Sequence, residues 1–262
     1  MRVLIVAGGE VPARRRLDEA WPGWDDAVRL VVAADGGAVR AASLGLRPDL
    51  VVGDADSLLP EQLTALRASG VAIELSPVAK DATDLELAVR AATGRGATEL
   101  VVLGAFGGDR LDHALGNLAL LAAPALRGCP VAMLDATTRV RLLAAGQRAA
   151  FEAETGDAHD GDGDGDGVAS GRAVRHELPG RVGDLVSLLP LGGEAFGITT
   201  GGLQYPLRDE RLTLGSSRGI SNVRCDAAAW VSLRGGQLYA IETLATPLDH
   251  GEPPRGPEGA TT

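Results

Sequence analysis

Short apolar runs punctuate the first half of the chain: Val3–Ala7, Leu30–Ala34, Leu50–Val52, Val71–Leu75, Leu100–Gly104 and Val131–Leu134. Most are unbroken stretches of Val, Leu and Ile, the pattern of strands covered on both faces. Between them the spacing predicts helices near Ala38–Leu44, Glu61–Ser69, Asp84–Ala92 and Leu111–Ala122. In the third of these, Leu85, Ala88, Val89 and Ala92 recur at helical spacing. Strand and helix in alternation predict an open parallel sheet flanked by helices. After Arg139 helical periodicity stops. Short strand-like runs separated by glycine turns follow at Asp184–Leu189, Ala195–Thr199, Arg211–Leu214, Ala229–Leu233 and Gln237–Ile241. That spacing suggests an antiparallel sandwich or barrel, and a C-terminal antiparallel β-sandwich is the expectation taken. The expected fold is therefore α/β plus all-β, with an α/β domain over 1–138 and a β domain over 139–246. The stretch 154–171, with Gly-Asp repeats and no large apolar residue, is expected to be a flexible acidic loop. The run Asp160-Gly-Asp162-Gly-Asp164 resembles the opening of a calcium loop, but its twelfth position is Gly171, where a bidentate Glu is required. The Pro- and Gly-rich tail 247–262 is expected to be disordered.

Composition narrows the class. A chain of 262 residues can bury a sizeable core without a disulfide or metal staple. Of the net charge of −10, seven units sit between Glu152 and Asp166 with no Lys or Arg among them, so the rest carries −3. No basic stripe exists for general nucleic-acid binding. Cys129 and Cys225 lie too far apart in sequence for a metal motif, and the chain has no membrane-length apolar run. Met1–Gly9 lacks the length and cleavage region of a signal peptide and reads as a first strand entering a glycine turn. A cytoplasmic protein is expected. Twenty-four of the 25 basic residues are Arg, and Lys80 is the single Lys. A lone Lys in that background suggests a position needing a compact, flexible point charge.

The acidic and glycine-rich motifs follow the carboxyl ends of successive predicted strands. Leu30–Ala34 ends in Asp35-Gly36-Gly37, and Leu50–Val52 ends in Gly53-Asp54-Ala55-Asp56-Ser57. After Val71–Leu75 comes Lys80-Asp81-Ala82-Thr83-Asp84; after Leu100–Gly104 comes Gly107-Gly108-Asp109-Arg110-Leu111-Asp112-His113. In an open parallel sheet these ends share one edge, where ligands bind. Asp35, Asp54, Asp56, Asp81, Asp84, Asp109 and Asp112 could converge there, and so many like charges repel unless a cation joins them. A hard divalent ion such as Mg²⁺ suits carboxylates and phosphate oxygens. Lys80 and Arg110 would then contact phosphate, and the glycine pairs would let backbone N–H groups approach it. Singly, each motif also has a structural reading: Asp35-Gly36-Gly37 as a turn, Asp84 as a helix cap, His113 as a satisfied structural histidine. No P-loop, dinucleotide fingerprint or nucleophile elbow is present.

In order and spacing, Asp35-Gly36-Gly37, Pro48 through Ser57, Lys80 through Ala88 and Gly104 through Asn117 resemble thiamine pyrophosphokinases. Gly183 through Pro190, Thr200 through Leu207 and Gly219-Ile220-Ser221-Asn222 resemble that family's C-terminal β domain. The resemblance covers about residues 1 to 245. It implies transfer of the pyrophosphoryl group of ATP to thiamine, giving thiamine diphosphate and AMP, with Mg²⁺. It also implies a homodimer whose site is shared between subunits. It places Asp54, Asp56 and Asp84 on Mg²⁺. Asp35, Gly36, Lys80, Asp81, Thr83, Arg110, Asp112 and His113 fall on the ATP side, and Ser221 and Asn222 on the thiamine side. Asp112 is the first candidate base. Trp230 and Tyr205 are the candidate rings for thiamine. One departure stands out: Asp109 intervenes between the glycine pair and Arg110. The alternatives are transfer to another hydroxymethyl acceptor such as a pterin, or a regulator that binds nucleotide or thiamine diphosphate without turnover.

Overall fold

The structure is a computed structural model and describes residues 1–77, 81–107, 110–145 and 172–245. Lys80, Asp109, the acidic stretch 154–171 and the tail 247–262 lie outside the described residues.

The first half alternates as expected: β1 (Arg2–Val6), α1 (Arg14–Ala20), β2 (Val28–Ala34), α2 (Gly37–Ser43), β3 (Leu50–Gly53), α3 (Pro60–Ala68), β4 (Ala72–Leu75), α4 (Asp84–Gly94), β5 (Glu99–Leu103), α5 (Leu111–Leu120) and β6 (Val131–Leu134). Six strands run parallel in the order β4-β3-β2-β1-β5-β6. Their continuous apolar runs are explained by two-sided burial. On β1, Val3 and Ile5 pack with Leu85, Ala88, Val89 and Ala92 of α4. Leu4 and Val6 face the other way, toward Leu17 of α1, Trp21, Trp24 and Ala41 of α2. All four β1 side chains are fully buried, each contributing about 1.5–3 kcal/mol of transfer free energy. Periodicity alone did not reveal α1: its sequence, Arg-Arg-Arg-Leu-Asp-Glu-Ala, offers only Leu17 and Ala20 to the core.

The second half contributes β7 (Thr138–Ala144), β8 (Val174–Pro179), β9 (Leu185–Pro190), β10 (Ala195–Gly201), β11 (Glu210–Leu212), β12 (Asn222–Val223), β13 (Ala228–Leu233) and β14 (Gln237–Thr243). Strands β8-β13-β10-β11 form one antiparallel sheet. Its partner layer is not a separate sheet. β7 pairs antiparallel with β6, and β14, β9 and β12 follow, so ten strands run without a break across residue 138. Between the layers, alternate residues interdigitate: Leu143, Val186, Leu188, Leu238 and Ala240 from one side, Leu178, Ile198, Ala229, Val231 and Leu233 from the other. The fold is thus an α/β sheet with flanking helices, extended into an antiparallel sandwich.

Candidate active site

The strand order reverses between β1 and β5, so the loops leaving their carboxyl ends part there and open a crevice. A cleft of about 710 Å³ occupies it. Glycine backbone forms much of the wall: Gly8 and Gly9 after β1, Gly36 after β2, Gly104 and Gly107 after β5. Close approach explains Gly37. A Cβ there would run into the Val6 carbonyl, so α2 could not begin against β1.

Asp35, Asp54 and Asp84 each bring a carboxylate oxygen into one group, all within 4.8 Å of one another. The sheet register sets this up. Ala34 pairs with Val52, and the Asp35 N–H donates to the Val52 carbonyl at 2.8 Å. Asp54 leaves β3 two residues later. Asp84 enters from α4, whose start is capped by Thr83 Oγ1 accepting from the Glu86 N–H at 3.2 Å. Gly53 lies at the centre with φ +148°. A Cβ on it would sit 2.9 Å from Asp35 Cβ and 3.0 Å from Asp84 Oδ1. Asp35 is 5% exposed, and its Oδ1 is buried without a hydrogen-bond partner. An orphaned carboxylate oxygen beside two more carboxylates fits a divalent cation with oxygen ligands. Among the described residues, five non-glycine residues have positive φ; one of them, Asp35, belongs to this group and another, Ala55, follows Asp54.

The sequence-derived candidates are not all brought together. Asp56 is exposed outside the trio; its carboxylate accepts from the Ser57 hydroxyl at 3.1 Å. Asp35 stands with Asp54 and Asp84 where Asp56 was expected. Gly36, Thr83, Arg110 and His113 line the cleft; Asp81 and Asp112 do not. Asp112 instead takes both arms of the Arg110 fork, Nε at 2.9 Å and Nη2 at 2.7 Å. That guanidinium holds the Asp112 carboxyl well below the usual carboxylate range, which makes it a poor proton acceptor at neutral pH. Arg40 of α2 and Asn117 of α5 also line the cleft and were missed. Arg40 lies one helical turn after Gly36-Gly37, a spacing that could have flagged it. Asn117 Nδ2 donates to the Ala105 carbonyl at 2.8 Å and ties α5 to the loop after β5.

In the β half, Ser221 is exposed with φ +55° and its N–H donates to Ser187 Oγ at 3.0 Å. Asn222 is buried, and its amide is committed to Tyr205. Oδ1 accepts from the Tyr205 N–H at 2.9 Å, and Nδ2 donates to the Tyr205 carbonyl at 2.7 Å. The Tyr205 ring is thereby held out toward solvent. Trp230 is already covered by the Arg175 guanidinium, 4.2 Å from its ring centre.

With this geometry in place, comparison with known proteins is informative. Residues 23–133 match the thiamin pyrophosphokinase catalytic domain, and residues 175–238 match the thiamin pyrophosphokinase vitamin B1 binding domain. A thiamine pyrophosphokinase of Bacillus subtilis (strain 168) is 25% identical over 239 residues, covering 91% of this chain and 97% of that one. The crystal structure of thiamine pyrophosphokinase from Bacillus subtilis superposes with a TM-score of 0.73 at 24% identity, over 94% of this chain and all of that chain. Yeast thiamin pyrophosphokinase shares the fold with a TM-score of 0.67 at 14% identity, over 93% of this chain and 86% of that chain. The two family matches fall on the two halves that carry the carboxylate trio and the Asn222–Tyr205 clamp, and together they span most of the chain: it belongs to the thiamine pyrophosphokinase family.

Proposed function

We propose that this chain transfers the pyrophosphoryl group of ATP to the hydroxyl of thiamine, releasing AMP and thiamine diphosphate. The observation that carries the reading is the trio Asp35, Asp54 and Asp84 beside a glycine-walled cleft at the strand-order reversal. Clustered carboxylates that can hold a divalent ion at the phosphates suit metal-assisted transfer, whereas a regulator that only binds nucleotide could do without them. The match of residues 175–238 to a vitamin B1 binding domain favours thiamine over a pterin-like acceptor.

In this reading the thiamine oxygen forms a bond to the β-phosphorus in line, and the bond from that phosphorus to the oxygen bridging to the α-phosphorus breaks. AMP leaves with that oxygen, and the hydroxyl proton passes to solvent. Asp35, Asp54 and Asp84 would hold Mg²⁺, which when bound neutralises phosphate charge. The glycine turns after β1, β2 and β5 offer backbone N–H groups to the triphosphate, and Arg40 and His113 add side-chain contacts. Arg110, paired with Asp112, presents a guanidinium at the cleft. Tyr205, steadied by Asn222, offers the ring for thiamine, with Ser221 beside it. The exposed apolar side chains of α5, Leu111 and Leu115, and of the β half, Leu214 and Ile220, support a homodimer in which one chain's cleft meets the other's β half.

The test is turnover of purified protein with ATP, Mg²⁺ and thiamine. AMP and thiamine diphosphate should form in equal amounts and cease with EDTA. AMP formed only with another hydroxymethyl acceptor would overturn the substrate. ATP binding without AMP from any acceptor would overturn the reaction.

A further inference from the structure

A second cleft, of about 500 Å³, shares no lining residue with the first. It lies against the α1 face of the parallel sheet, between the Trp21–Trp24 turn and the loop from Pro179 to Asp184. Its floor carries an unusual charge cluster. Glu242 of β14, 3% exposed at its side chain, meets three guanidiniums: Arg139 at 2.5 Å, Arg141 at 2.7 Å and Arg224 at 2.9 Å. The cluster therefore holds two more positive charges than negative ones. Two further acids line the cleft, and each is paired away from the cluster: Asp184 with Arg181 at 4.0 Å and Glu19 with Arg15 at 2.7 Å.

Arg224 is 1% exposed; one arm donates to the Leu178 carbonyl and another to Glu242, while its buried Nε has no partner. Arg139 lies over the Trp21 ring, 5.1 Å from its centre. Burial lowers the pKa of Arg141; Glu242 opposes that shift, while Arg139 and Arg224 add to it. The Pro179 and Glu177 carbonyls accept from Arg139 and Arg141, but among the described residues no second carboxylate pairs with the cluster, so an added anion would relieve its remaining positive excess. Guanidinium forks match carboxylate and phosphate oxygens, and Trp21 and Trp24, with Arg139 and Arg14 over their rings, add apolar surface to the lining. We infer that this cleft binds a small organic oxyanion, a phosphate monoester or a carboxylate carried on a planar ring, by way of Arg139, Arg181 and Arg224. The inference does not depend on the proposed reaction.

Trp21 and Trp24 make the site observable. In a Trp230→Phe background, phenyl phosphate and benzoate are titrated against tryptophan fluorescence, with benzyl alcohol as the neutral control. Saturable quenching by an anion, absent with the alcohol, is expected. The more tightly bound of the two anions identifies the headgroup. Arg139→Met should weaken binding by about tenfold or more while leaving turnover intact. Glu242 keeps Arg141 and Arg224 in that variant, so no buried acid is orphaned. If Arg139→Met does not fold, Arg181→Gln on the exposed rim serves the same test. No saturable response at about 10 mM anion, or binding unchanged in the arginine variant, would overturn the inference.

Discussion

Gly53 shows how much of the site hangs on single positions. Its φ of +148° is one that a residue with a side chain rarely adopts, and its missing Cβ is the space in which Asp35 and Asp84 meet. Gly53→Ala should cost about 1–3 kcal/mol of stability through backbone strain. It should also lower turnover more than tenfold, because the Asp35 main chain cannot retreat from β3 without losing its bond to Val52. Urea unfolding and a turnover assay check both. A variant with full activity and parental stability would show that the trio does not need this spacing. At this same scale, sequence order was a partial guide. Asp54 and Asp84 were legible as acids after strand ends. That Asp35, rather than Asp56, completes the group was not, because the parallel register of β2 and β3 decides it and local spacing does not. The opposed roles of Asn222 and Tyr205 were hidden for a similar reason: only the hydrogen bonds show that the polar side chain turns inward and the ring outward.

At the scale of elements, the strongly apolar strands were legible nearly to the residue, and the weakly patterned elements were not. β6 matches its expected span, whereas α1, β7, β8 and β12 had no signal. β7 carries Arg139 and Arg141 at inward positions because β14 presents Glu242 between them, a pairing about 100 residues distant in sequence. No periodicity rule anticipates charged residues facing a core. The cluster also sets an acid limit on the sandwich. Burial pushes the Glu242 carboxyl up, but Arg141 and Arg139 overcome it and leave it below its ordinary value of 4.5. A depressed folded-state pKa stabilises above the unfolded value, and that stabilisation is lost as pH falls through the folded one. Glu242→Gln should therefore cost about 3–5 kcal/mol at neutral pH, since the buried Arg224 and the half-buried Arg139 and Arg141 lose their counter-charge. The gap between the two proteins in urea unfolding should narrow as pH falls from 5 to about 3. A gap independent of pH would mean that Glu242 contributes packing and not charge.

For the whole molecule, the question is why the two candidate halves of the site lie on different parts of one chain. The cleft opens at the carboxyl edge of the parallel strands, whereas Tyr205 and Ser221 belong to the loops of the sandwich beyond β7. α5 borders the cleft yet has no buried residue; Leu111 is 71% exposed and Leu115 57%. Leu214, in the β half that also carries Ser221, is 73% exposed. Apolar surface of this kind suits a contact with another chain, as the proposed homodimer requires. A two-fold pairing would place the α5 face of one copy on the β half of the other and create two equivalent composite sites. The consequence is measurable by mixing two inactive proteins. Asp84→Asn disables the carboxylate side, and Tyr205→Ala disables the ring side. Unfolded and refolded together in equal amounts, half of the dimers should be mixed, and each of these holds one intact site, restoring about a quarter of parental turnover. If each site is built within a single chain, every chain in the mixture carries a defect, and activity stays at the level of the two variants measured apart.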